Sequence, residues 1–139
     1  MTDETMSIVE FSEDISEAEA PEPLPPGEYP ATIRAVEVKL SQRNTKYAAV
    51  TFVVDPGEYP ADYPLENAPD GKAIVYRRCS MEDNPQARYM LRRFCEAIGA
   101  TASKRIDVNE WVGLAAMIEV ENDDYEGVSR EQIARVNAA

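Results

Sequence analysis

Five stretches of this chain alternate apolar and polar residues with the two-residue period of a β-strand, and one stretch between the third and fourth repeats its apolar residues at helical spacing. The first, 28–40, changes phase: Ala31, Ile33 and Ala35 share one face, whereas Val36, Val38 and Leu40 share the other. A single extra residue near Ala35 and Val36 reconciles the halves, which predicts a β-bulge and a sharp bend. A polar turn over 41–45 leads to a second strand, 46–54, with Ala48, Val50, Phe52 and Val54 on one face and Tyr47, Ala49, Thr51 and Val53 on the other. In the third, 72–80, Ile74, Tyr76 and Arg78 alternate with Ala73, Val75, Arg77 and Cys79. Either set can face inward, so Tyr76 with Arg78 and Arg77 with Cys79 stand as rival outward pairs. Asn84 followed by Pro85 marks a helix start and Gly99 its stop. Between them Ala87, Leu91, Phe94 and Ile98 form the core-facing stripe, with Met90 beside it. After a linker holding Trp111 and Gly113, the run 114–121 turns Leu114, Ala116, Ile118 and Val120 inward. A turn over 122–127 precedes a last strand, 128–136, whose phase is open. Three strands, a helix and two strands are the element order of the OB-fold. The expected fold is mainly β: a five-stranded OB-fold-like Greek-key barrel with one α-helix between strands 3 and 4.

The 139 residues divide unevenly. Positions 1–26 hold eight carboxylates (Asp3, Glu4, Glu10, Glu13, Asp14, Glu17, Glu19 and Glu22) and no Lys or Arg, and end in Pro21, Pro23, Pro25 and Pro26. Such a segment buries too little apolar surface to offset its ordering entropy, so it reads as a disordered acidic tail with a Pro-rich linker. The OB-fold-like domain is then 27–139, roughly 113 residues and enough for one modest core. The formal charge of −12 argues at first against a nucleic-acid binder. Eight of those charges belong to the tail, and the domain holds 14 basic against 18 acidic groups. Two stretches, 34–46 and 72–105, are net positive, and a protein acidic overall can still present a basic groove.

Chemistry is restricted more than binding. There is no His, which removes the commonest general base and every Ser-His or Cys-His nucleophile pair. Cys79 and Cys95 have no CxxC spacing and read as reduced thiols. The six glycines are too scattered for a phosphate-binding loop. Asp62, Glu66 and Asp70, or Asp123 and Asp124, are carboxylates of the kind that hold Mg²⁺, but they stand among turn-forming neighbours. The expectation is a protein that is not an enzyme and takes no metal or cofactor. With no apolar run long enough to span a membrane and no signal-like N-terminus, it is also expected to be soluble and cytoplasmic.

Basic and aromatic residues gather on the first three strands: Arg34, Lys39, Arg43, Lys46, Tyr47, Tyr76, Arg77 and Arg78. A cationic groove along phosphates plus aromatic faces for bases is what holds single-stranded nucleic acid, and strands 2 and 3 are where OB-folds bind it. Arg34, Lys39, Arg43, Lys46, Arg77 and Arg78 are expected on phosphate, with Tyr47 and Tyr76 stacking on bases. The same residues also suit the solvated side of any amphipathic strand. In the tail, Ile8, Phe11 and Ile15 fall at i, i+3 and i+7, the spacing of one helical face. The tail is open to three readings: a solubilising segment, a docking segment for replication or recombination proteins, or a competitor for the basic groove. The loop 55–71, with four prolines interleaved by Tyr59 and Tyr63, is long enough to hint at function.

Several short motifs sharpen the reading. Leu24-Pro-Pro-Gly-Glu-Tyr-Pro-Ala-Thr-Ile33, Lys46-Tyr-Ala-Ala-Val-Thr-Phe52, Phe94-Cys-Glu-Ala-Ile-Gly99, Trp111-Val-Gly113 and Tyr125-Glu-Gly127 together resemble a family of small bacteriophage single-stranded DNA-binding proteins with an OB-fold-like domain. The resemblance spans about 24–136. It implies binding of single-stranded DNA in phage replication or recombination, in the bacterial host cytoplasm, without catalysis. In two respects the chain departs from it, since its acidic tail is N-terminal and its groove is only modestly basic. Two other classes fit the charge distribution: an acidic DNA mimic that inhibits a host nucleic-acid enzyme, and a virion structural or assembly adaptor.

Overall fold

The computed structural model describes residues 7–139, with Tyr125 by its backbone only. Strands β1 (Gly27–Leu40), β2 (Lys46–Val54) and β3 (Lys72–Ser80) precede helix α1 (Pro85–Ile98), and β4 (Ala115–Tyr125) and β5 (Val128–Asn137) follow it. They form one antiparallel five-stranded sheet in the order β3-β2-β1-β4-β5. The fold is mainly β with one helix. Among the described residues no ladder joins the edge strands β3 and β5, so the sheet is not closed by hydrogen bonds. The two edges nevertheless meet at their starts, where Lys72 Nζ lies 2.9 Å from Glu131 Oε2.

β1 is central because it is long enough to serve two neighbours. Gly27 to Thr32 pairs with β4, and Thr32 to Leu40 pairs with β2. The handover is a bulge: Ile33 stands opposite Phe52 and Ala35 opposite Thr51, leaving Arg34 extra, one residue ahead of the expected place. Gly113 N–H donates to the Ile33 carbonyl at 2.8 Å and Ile33 N–H to the Leu114 carbonyl at 2.9 Å, which satisfies the backbone where the β2 ladder slips.

Two further bulges answer the phases that alternation leaves open. Ala48 pairs with Cys79 and Val50 with Tyr76, so Ala49 faces both Arg77 and Arg78. Neither rival pairing of the third strand holds: Ile74 and Cys79 are buried, Tyr76 is half-buried, and Arg77 and Arg78 are both exposed. On β5, Glu119 opposite Arg135 and Val120 opposite Ile133 leave Ala134 extra, so Ile133 and Val136 both turn toward the core. β4 runs past its expected end to Tyr125, and a two-residue turn at Glu126 (φ 51) and Gly127 (φ 78) closes its hairpin with β5. Two positive φ values in succession are the type I′ geometry that suits strand twist.

Ala48, Val50, Phe52 and Val54 from β2 meet Ala116, Ile118 and Val120 from β4 in the core, as alternation predicts. α1 starts where Asn84 accepts the Ala87 N–H at 2.9 Å and ends at Gly99, whose φ is 77. It buries Ala87, Phe94, Cys95 and Ile98. Leu91 is only half-buried and Met90 is exposed, so the buried stripe is rotated toward Cys95 relative to the expected one. Trp111, from a short 3₁₀ turn, is 2 % exposed and lies 5.4 Å from Phe94, centroid to centroid.

The tail corrects a boundary. Asp3 and Glu4 lie outside the described residues; residues 7–20 are exposed, with a single turn at Ile15–Glu17. The packed domain begins before Gly27, because Leu24 is fully buried and its N–H donates to Glu131 Oε2 at 2.9 Å. Carbonyls of this extended stretch accept from tyrosine hydroxyls: Glu22 from Tyr63 at 2.8 Å and Pro25 from Tyr29 at 2.7 Å. β1 supplies Tyr29 and the loop 55–71 supplies Tyr63. Its Tyr59 and Tyr63 rings meet edge to face at 5.1 Å, and Tyr59 donates to the Ala68 carbonyl at 2.7 Å. No helix among the described residues is long and apolar enough to cross a membrane.

Candidate nucleic-acid interface

The register of β1, β2 and β3 places Lys39, Tyr47 and Ser80 in one row on the outer face of the sheet, and Glu37, Ala49 and the Arg77–Arg78 bulge in the next. Lys46, Tyr47, Arg77 and Arg78 line one cleft of about 410 Å³, walled on one side by Ser41, Gln42 and Thr45 of the hairpin turn. That turn is internally braced. Ser41 Oγ and Thr45 Oγ1 lie 2.6 Å apart, and Ser41 Oγ accepts the Arg43 and Thr45 N–H groups. A bulge is the reason the cleft holds two adjacent arginines, since regular alternation would turn one of them into the core.

Arg34, Arg43, Lys46, Arg77 and Arg78 have no carboxylate within 4.0 Å among the described residues. Arg88 and Arg92 on α1, in contrast, are held by Asp83 and Glu96. Lys39 pairs with Glu37 at 3.6 Å, with both side chains exposed, an arrangement that contributes little and yields readily to a stronger anion. Glu82 also lines the cleft, and its carboxylate accepts from Ser80 Oγ at 3.3 Å.

The expected residues therefore do not all converge. Lys46, Tyr47, Arg77 and Arg78 come together, Lys39 adjoins them, and Arg43 projects at the hairpin tip. Arg34 stands apart at the β1 bulge, five residues along the strand from Lys39, or roughly 17 Å. Tyr76 turns inward: its ring stacks on Phe94 at 5.6 Å with planes 1° apart, so one of its faces is already covered. Burial pushes its phenol above the ordinary range, the neighbouring Cys79 adds to this, and Arg78 opposes it. Arg130, overlooked in the sequence, joins Arg77 and Arg78 along the slot between β3 and β5.

Among the described residues no three His, Cys, Asp or Glu side chains converge to hold a metal. The free thiols Cys79 and Cys95 are both buried. Burial, then the adjacent Cys95, pushes the Cys79 thiol from its ordinary 9.0 up to about 12. Above pH 9 the unfolded chain therefore releases a proton that the folded chain retains, so stability falls as pH climbs from 9 toward about 12. The buried Tyr29 and the half-buried Tyr59 and Tyr76, all shifted up, act in the same direction. Urea denaturation across this window is expected to show a shallower decline for Cys79→Ala than for the parent chain, whatever the starting stability of the variant.

Among curated proteins none matches this chain. A family model does match, over residues 11–134, taking in the tail from Phe11, strands β1 to β4, the helix and most of β5. The chain belongs to the family described as "Protein of unknown function (DUF669)".

Proposed function

We propose that this chain is a non-enzymatic single-stranded DNA-binding protein of low sequence specificity, acting in phage DNA replication or recombination. The observation that carries the reading is the cleft on the outer face of β2 and β3, where Lys46, Arg77 and Arg78 stand without carboxylate partners among the described residues beside the half-exposed Tyr47 ring. Unpaired cations next to an aromatic face meet the two needs of a single strand, phosphate neutralisation and base stacking. The same reading takes the sheet as an OB-fold-like barrel whose seam lies between β3 and β5. In its support, the strand order β3-β2-β1-β4-β5 brings the two edges round to the Lys72–Glu131 contact, with the helix following the third strand.

Titration of a fluorescent oligo-dT tests this directly. Four phosphate contacts on a single strand give a salt slope of about −3, so raising salt from about 50 to 200 mM should weaken binding roughly fiftyfold. Absence of binding at the lower salt overturns the proposal and leaves the DNA-mimic and adaptor readings.

A further inference from the structure

A second groove lies between α1 and the end of β5, with Tyr76 shared between it and the β3–β5 slot. It has a volume of about 540 Å³, and its walls include Met90, Ala97, Ala134 and Val136, with Arg93 on the helix and Arg135 on the strand. The one carboxylate on its rim among the described residues, Glu96, is held by Arg92 at 3.2 Å. Apolar walls flanked by two arginines suit a ligand that is apolar and acidic at once. The same chain carries such a segment: Ile8, Val9, Phe11 and Ile15 are 64–81 % exposed, touch no core, and are interleaved with Glu10, Glu13 and Asp14.

We propose that the segment 8–15 of one copy docks into the α1–β5 groove of a second copy. Ile8, Phe11 and Ile15 would enter the apolar walls, and the carboxylates between them would meet Arg93 and Arg135. The tail is fixed to its own domain only from Glu22 onward, by Tyr63 and Glu131. Residues 16–21 thus form a tether between the docking segment and its own fold. Its own apolar side chains stay exposed in the single chain, which leaves both halves of the contact unfilled in an isolated copy. The two surfaces differ, so the contact is heterologous: each copy gives one tail and receives one, either exchanged within a pair or passed head to tail through a ring or an open row. This inference is independent of the single-strand reading.

Sedimentation velocity of the full chain tests it. The mean mass should rise with concentration and fall back as salt is added. Arg93→Glu/Arg135→Glu and, separately, Ile8→Ser/Phe11→Ser/Ile15→Ser should each weaken self-association at least about tenfold while far-UV circular dichroism stays unchanged. A mixture of the two variants is the decisive sample. The groove variant still gives an intact tail and the tail variant still receives one, so the mixture should form a one-to-one dimer and stop there, an outcome no misfolded variant can produce. A monomer at every concentration, as a tail unattached or folded onto its own groove gives, overturns the proposal. So does a mixture that fails to pair.

Discussion

Arg77→Ala/Arg78→Ala should lower the affinity for oligo-dT at moderate salt by about ten- to a hundredfold and reduce the magnitude of the salt slope by about 1.4, two contacts at roughly 0.7 each. The bulge opposite Ala49 holds both guanidinium groups outside the core, and neither has a carboxylate within 4.0 Å among the described residues. Their removal takes charge from the cleft without stranding a buried partner, so the fold should be little affected. Two controls make the result specific. Arg88→Ala/Arg92→Ala removes the same number of charges from side chains already held by Asp83 and Glu96, and should leave the slope nearly unchanged. Tyr47→Ala should cost about 1–3 kcal/mol of binding with no change in slope, because a stacked base releases no counterion. An unaltered slope in the double arginine variant would remove these residues from the interface.

Trp111→Ala should destabilise the domain by about 3–5 kcal/mol, the range for deleting a large buried aromatic side chain. A domain of this size is stable by only about 5–15 kcal/mol in all, so the variant should sit near its unfolding threshold at 37 °C. Trp111 is 2 % exposed and touches Phe94, which in turn stacks on Tyr76 of β3. The linker that presents it is tied to the β1 bulge by the paired bonds of Ile33 to Gly113 and Leu114. Truncation therefore opens a void between helix and sheet where the backbone is braced and cannot collapse to fill it. As Trp111 is the only tryptophan, unfolding of the variant must be followed by far-UV circular dichroism rather than fluorescence. A loss below about 1 kcal/mol would mean that the helix slides in to close the gap.

Much of this architecture is legible in the chain. The second and third strands and the helix lie where alternation, Asn84-Pro85 and Gly99 place them, because each has local punctuation at both ends. The phases of β3 and β5 are illegible for one shared reason. Each contains a bulge, and a bulge changes inside and outside halfway along a strand, so no single period describes it. β1 gave its bulge away only because enough apolar residues flank it on both sides. β4 extends through Asn122, Asp123 and Asp124, poor strand formers held by pairing with Glu131, Arg130 and Ser129 across the hairpin. The burial of Leu24 and the clamp from Tyr63 depend on contacts between distant segments, which composition cannot reveal. At the candidate site, residue types were readable and convergence was not. Tyr76 and Tyr47 look alike in sequence, and only packing against Phe94 separates them.

The attachment of the tail has a practical consequence for handling the protein. A fusion partner or protease site placed ahead of Glu22 leaves every contact of the folded part in place. A junction after Leu24 removes a fully buried side chain, an acceptor for Tyr63, and the N–H that shares Glu131 with Lys72. The smallest useful fragment is thus set by a carboxylate near the start of the last strand, more than a hundred residues away in the chain.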